Sequence, residues 1–200
     1  MSGRNGPPLL VLLCAAVVTT AAQLCAGDEP AGNEYELKAA FLYHFALFVQ
    51  YPSPAADPKD PFAIGVLGKD PFGASLDRVA AIKTVDGRPI TIRRFRSVED
   101  YKQCSILFIA IESAADEGET NDKKDSPEDR LAALLDKVKD APVLIVGDSP
   151  GLGKRGAIIN FYIQENKIRF EINKGAAKKH GLQLSSKLLK LGKIVSEDKD

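Results

Sequence analysis

The 200-residue chain has no tryptophan, one methionine, two histidines and three cysteines. His44 and His180, with so few thiols, leave little from which to build a zinc site, and no His/Cys/carboxylate spacing of the metal-binding kind is present. Cys14 and Cys25 both fall within the first 26 residues, so only Cys104 is securely in the body of the chain. It stands at the entry to the apolar run Ile106 to Ala110, where a lone thiol acts as a small buried hydrophobe. Folding therefore does not depend on a disulfide. Net charge is lacking too, with 27 basic residues against 27 acidic ones, so bulk electrostatics favour neither nucleic acid nor an anionic membrane, and no nucleic-acid partner is expected.

Long apolar runs are nearly absent. The exception is Leu9 to Ala22, preceded by Arg4, with small residues at Thr20-Ala21-Ala22. This is the pattern of a signal peptide over residues 1–26, with cleavage after Ala22 or after Ala26, and an uncleaved anchor is the alternative. Leu24 is the wrong size for a lipoprotein cleavage before Cys25. The remainder, roughly 175 residues, suits one exported domain able to bury about 70% of its unfolded surface.

Along that remainder, Glu34 to Gln50 has the spacing of an amphipathic helix, with Leu37, Phe41, Leu42, Phe45, Phe48 and Val49 inward and Pro52 stopping it. His44 is expected partly buried beside Phe41 and Phe48, and His180 near a helix C-terminus. Ser53 to Pro61 is a linker. Strands are expected at Phe62 to Leu67, Ile90 to Phe95, Ile106 to Ile111 and Val143 to Val146, with helices at Phe72 to Ile82, Val98 to Lys102 and Leu131 to Val138. Ala115 to Pro127 reads as a polar loop. Such alternation argues a mainly parallel sheet covered on both faces.

The stretch after Gly156 is different. Phe161 and Ile163, then a polar turn at Glu165-Asn166-Lys167, then Ile168, Phe170 and Ile172 alternating with Arg169, Glu171 and Asn173, read as an antiparallel hairpin. Asn173 caps a short helix ended by Gly181, and Ser185 or Ser186 starts a last one with Leu188, Leu189 and Leu191 inward. The expected fold is a three-layer α/β domain over residues 34–195, with a Rossmann-like, mainly parallel sheet, a C-terminal antiparallel hairpin and a disordered tail at 196–200.

The runs RFEIN, AA and GLQLSSKLLKLGK in this order, with PVLIVGDSPGL and GAIINF before them and KAAFLYHFALFVQYP near the start, resemble the YfiR-like family of small periplasmic α/β proteins. In that family the position of His44 is more often Asn and that of Tyr51 more often Trp. Several members carry paired cysteines, a pairing that Cys104 alone cannot make in this core. The resemblance implies a non-catalytic periplasmic regulator that restrains an inner-membrane diguanylate cyclase through its periplasmic part, and so tunes cyclic di-GMP signalling and biofilm formation. It implies relief by an outer-membrane-associated protein. A histidine kinase as the receptor and a homodimer stay open.

No constellation in the sequence reads as an active site. Gly151 to Gly156 spells a dinucleotide-binding spacing, yet the residues behind it read as a strand, so no helix N-terminus waits for a pyrophosphate; a glycine-rich hairpin connection is expected. Ser149 is misplaced for a nucleophile elbow, and Asp116 and Glu117 fall in a loop. No catalytic residue, metal or cofactor is expected. Two groups of residues are candidates for partner or ligand binding. One is the strand-end pair Arg96 and Asp148, where open α/β sheets place ligands; the other is the hairpin's polar face of Asn160, Arg169 and Glu171. A small-molecule sensor using the strand-end crevice is the alternative function. Charge is also uneven: eight acids against two lysines from Glu112 to Asp129, then six lysines and no acid from Asn173 to Ser196.

Overall fold

Apolar runs of four to six residues decide the centre of the molecule. FAIGVL (β2, Phe62–Leu67), ILFI (β5, Ile106–Ile109) and LIVG (β6, Leu144–Gly147) are buried at every position, as strands covered on both faces must be. The computed structural model describes residues 31–52, 60–110 and 127–196. The proposed signal segment, most of the linker, the acid-rich loop with Glu112, Asp116 and Glu117, and the last four residues lie outside the described residues. All but the first residue of the opening helix fall in one compact unit, Gly32–Asp200.

β2 pairs in parallel with β5 and with β4 (Arg88–Phe95), β5 with β6, and β6 with β7 (Ile159–Gln164). β7 turns back antiparallel into β8 (Lys167–Asn173). With β3 (Thr84–Val85) and β10 (Lys193–Val195) at the rims, the eight-stranded order is β10-β8-β7-β6-β5-β2-β4-β3. One face packs α1 (Ala31–Phe48), α2 (Ala74–Ile82), α4 (Lys174–Lys179) and α5 (Ser186–Leu191), joining Leu42, Phe45, Leu76, Ala177 and Leu188 to Ile64, Phe108 and Phe161. The other packs α3 (Pro127–Val138), with Leu131, Leu134 and Val138 against Leu107, Ile145 and Cys104. The mixed α/β fold with a mainly parallel sheet and a terminal hairpin is therefore the one the element order implied.

The caps fall where the residue types put them. Asn173 Oδ1 accepts from the Ala176 amide at 2.9 Å, and Ser185 Oγ from the Leu188 amide at 3.2 Å. Gly181, at φ 67°, follows the end of α4 in the left-handed conformation that favours glycine. Glu165 and Asn166, at φ 51° and 56°, make the two-residue turn that joins β7 to β8.

Several expectations need correction. Val98 to Lys102 is not a helix. Ser97 donates its amide to Asp100 Oδ2 at 3.3 Å, a local side-chain bond that competes with so short a helix. The stretch Gly151 to Gly156 is not a hairpin connection, because β6 and β7 run parallel and the chain must cross back between them. The line of inward residues on α1 is Lys38, Leu42 and Phe45, continued by Val49 just past its end, while Leu37 is 47% exposed and His44 is exposed. Leu191 is also outward, since a six-residue helix has room for one inward line, here at Leu188. β9 (Gln183–Leu184) pairs with β1 (Val49–Gln50), a small ribbon that the sequence did not announce.

β7 meets β6 only at Val146↔Ile159 and Gly147↔Asn160, and β8 meets β10 only from Glu171 onward. The hairpin thus continues past the carboxyl ends of the parallel strands, its outer half from Tyr162 to Arg169 paired only with itself among the described strands.

Candidate functional site

Asp148 follows β6 directly, at the carboxyl end of the sheet, and its side chain is taken up by α1. Its Oδ2 accepts from Lys38 Nζ at 2.7 Å and from the Tyr35 hydroxyl at 2.9 Å. Lys38 also meets Glu34 Oε1 at 2.6 Å, one turn back on the same helix, and its ammonium lies 4.2 Å from the centre of the Tyr35 ring. The lysine is only 3% exposed. Burial alone would lower its pKa, but the hydrogen bonds to Asp148 and Glu34 outweigh that and hold it above the ordinary lysine value. Burial first, then the Asp148 charge, pushes the Tyr35 phenol up to about 12. One ammonium against two carboxylates leaves this cluster one negative charge in excess. A lysine held so firmly as a cation is no nucleophile near neutral pH.

Tyr35 continues the contact inward, edge-on to Phe72 at 5.4 Å, and Phe72 to Phe108 at 4.7 Å. Beside Phe72, Asp70 accepts its amide at 2.7 Å and takes Arg94 Nε at 2.6 Å, while Arg94 Nη2 reaches Asp77 at 2.7 Å. The Asp77 bond foremost, then the Asp70 bond, raises the Arg94 pKa further above its ordinary value.

The hairpin residues do come together. Asn160 Nδ2 donates to Glu171 Oε1 at 3.2 Å and to the Ser149 carbonyl at 3.0 Å, so β7, β8 and the chain after β6 meet there. Gly153 leaves room for the carboxylate; a Cβ there would stand 2.7 Å from Glu171 Oε1. Asn160 Oδ1, buried, meets no donor among the described residues. Arg169 lies two residues before Glu171 on the same face, exposed, with Tyr162 and not an acid opposite. Asp148 adjoins this group through Ser149, but its carboxylate is engaged by α1. Arg96 is apart from both: it is exposed after β4, with β5 and β2 between that strand and β6. The strand-end pair Arg96 and Asp148 is thus not one site.

Sequence reading passed over Glu34, Tyr35 and Lys38. The signal was there, because Lys38 precedes Leu42 and Phe45 by four and seven residues, on the inward line of the helix. His180, after α4, is buried and places Nδ1 2.9 Å from the Ala141 carbonyl oxygen, a structural contact. Among the described residues no three His, Cys, Asp or Glu side chains could jointly hold a metal ion, and no helix is long and apolar enough to cross a membrane.

The pattern of the YfiR/HmsC-like family matches residues 35–193, from Tyr35 of this cluster to Lys193 of the last strand. The chain belongs to the YfiR/HmsC-like family. The match takes in Tyr35, Lys38 and Asp148 of the site, strands β1 to β9 with the hairpin, and the first residue of β10. No curated protein matches the chain. Among solved structures, a conserved domain protein of Vibrio cholerae is similar at 13% identity and a TM-score of 0.47, over 82% of this chain and 60% of that one. An ABC domain from Streptococcus pneumonia, solved with L-Trp, is similar at 12% identity and 0.43, over 66% and 55%. The chain therefore spans about three fifths of the length of the first of these.

Proposed function

We propose that this YfiR/HmsC-like protein is a periplasmic regulator that binds the periplasmic part of an inner-membrane diguanylate cyclase and restrains it. The observation that carries this reading is the family match over residues 35–193, since the family supports periplasmic regulation of a diguanylate cyclase. The geometry adds a surface suited to the task. On the projecting hairpin, Arg169 is displayed from an antiparallel ladder beside a Glu171 carboxylate held by Asn160. Interfaces concentrate their energy in a few such side chains, arginine prominent among them. Lys38 and Asp148 serve instead to lock α1 onto the end of β6, which keeps the hairpin's base in place.

The test is capture of the soluble periplasmic domain of the membrane partner by the wild-type protein and by Arg169→Ala. Arg169 is exposed and holds nothing in the core, so the variant should melt as the wild type does and bind the domain at least about tenfold more weakly. Full binding by well-folded Arg169→Ala and Glu171→Gln variants would move the interface off the hairpin. No binding by the wild type to the cyclase domain would remove the cyclase from the proposal.

A further inference from the structure

The charge of this neutral chain is not evenly spread. Lys174, Lys178, Lys179, Lys187, Lys190 and Lys193 are all exposed, and no carboxylate occurs among residues 174–195. On α5, Lys187, Lys190 and Leu191 stand at i, i+3 and i+4, neighbours on the outer surface, while Leu188 faces the core. Leu191 is 68% exposed, and Ile194, three residues on in the edge strand β10, is 48% exposed. Two branched aliphatic side chains are thus set among cations at one corner of the molecule.

Composition separates the partners that such a corner could take. Interfaces between proteins are enriched in arginine and aromatic residues and depleted in lysine. Residues 174–195 contain neither arginine nor an aromatic residue of the Phe, Tyr or Trp type. Lysines around exposed leucine and isoleucine instead suit a lipid surface: the ammonium reaches headgroup phosphates while the aliphatic stem and its apolar neighbours enter the interfacial layer.

We infer that the α5–β10 corner docks on an anionic phospholipid surface, with Lys187 and Lys190 on the headgroups and Leu191 and Ile194 in the layer beneath. Lys174 and Lys178 of α4 widen the positive field. Lys193 adds less, because Glu171 stands beside it in the β8–β10 register. Docking of this kind is peripheral and reversible, weak for one protein yet sufficient to concentrate it where a membrane-anchored partner is found. The inference goes beyond the regulatory reading and stands on the lysine face alone, so a test with lipid and no second protein distinguishes their failures.

The test is sedimentation of the purified protein with vesicles of phosphatidylcholine, with and without phosphatidylglycerol. Expected is binding only where phosphatidylglycerol is present, falling as salt rises past about 0.15 M. Lys187→Gln with Lys190→Gln should weaken it by about tenfold or more, and Leu191→Ser should weaken it in low and high salt alike. Lys83→Gln, an exposed lysine outside this face, should leave it unchanged. All variants should keep the wild-type melting temperature. Absence of lipid-dependent sedimentation, or an equal loss from Lys83→Gln, would overturn the inference. So would self-association that Leu191→Ser abolishes without any vesicle binding, which assigns the corner to a second copy, or loss of a soluble acidic domain's binding in the double variant without vesicle binding, which assigns it to a protein.

Discussion

Lys38 and Asp148, 110 residues apart in sequence, meet at 2.7 Å and join the first helix to the carboxyl end of β6. Glu34 and the Tyr35 hydroxyl complete the arrangement around the buried ammonium, while the two carboxylates keep part of their surface in solvent. Lys38→Met is expected to destabilise the protein by about 2 kcal/mol, because two partly buried carboxylates then stand side by side without their cation. Urea unfolding measures it. A loss below about 1 kcal/mol would mean that the pair is no more than a surface ion pair.

Alkaline pH should weaken the fold through Cys104. Burial pushes its thiol up to about 12 from 9.0. Above pH 9.0 the unfolded chain gives up this proton and the folded one keeps it, so the stability it contributes is complete below that pH and is lost as pH rises toward 12. The slope is about 1.4 kcal/mol per pH unit for this one group. Burial raises the Tyr35 and Tyr51 phenols in the same sense. Urea midpoints followed from about pH 8 to about pH 11 should therefore fall, and Cys104→Ala should flatten part of that fall.

The same thiol supplies a simpler test. Cys104 is 5% exposed and free. An aromatic disulfide reagent should leave it unmodified in the folded protein and react with it fully in denaturant, and reducing agent should leave the melting temperature unchanged. Rapid labelling under native conditions would show that the α3 side of the core opens readily.

Gly68→Ala should be costly although the site is small. Gly68 follows β2 at φ +94°, and a Cβ there would collide with the Ala110 carbonyl oxygen. Backbone strain and the clash together are expected to lower stability by about 2 kcal/mol or more, read from thermal or urea unfolding. By contrast Gly73→Ala meets open space and bears only the strain of its own positive φ, so it should cost less.

Much of this architecture was legible in the sequence because it rests on short-range patterns. Continuous apolar runs gave β2, β5 and β6, strict alternation gave β8, and the hydrogen-bonding side chains of Asn173 and Ser185 marked their helices. What was hidden depends on rotation or on distant partners. The inward line of α1 is turned by one residue from the most apolar reading, which trades Leu37 for Lys38, and only Asp148 explains why a lysine can be there. Strand order is not written in any one strand, so nothing local revealed that β5 and β2 separate Arg96 from Asp148. Pairings of two or three residues, as in β1–β9 and β8–β10, leave no periodicity to detect.

The β7–β8 hairpin is a cantilever. Its root is clamped by β6 on one side and β10 on the other, and by Phe161 and Phe170 against Phe45, while Ile163 at its free end is 58% exposed. Amide exchange along it should form a gradient, slowest at Ile159 to Phe161 and fastest around Glu165, because the tip can open without unfolding its support. A partner that grips Arg169 would then stiffen the beam from its free end and slow exchange there, and the change would be felt at the root, where Asn160, Glu171 and the residues after β6 are joined.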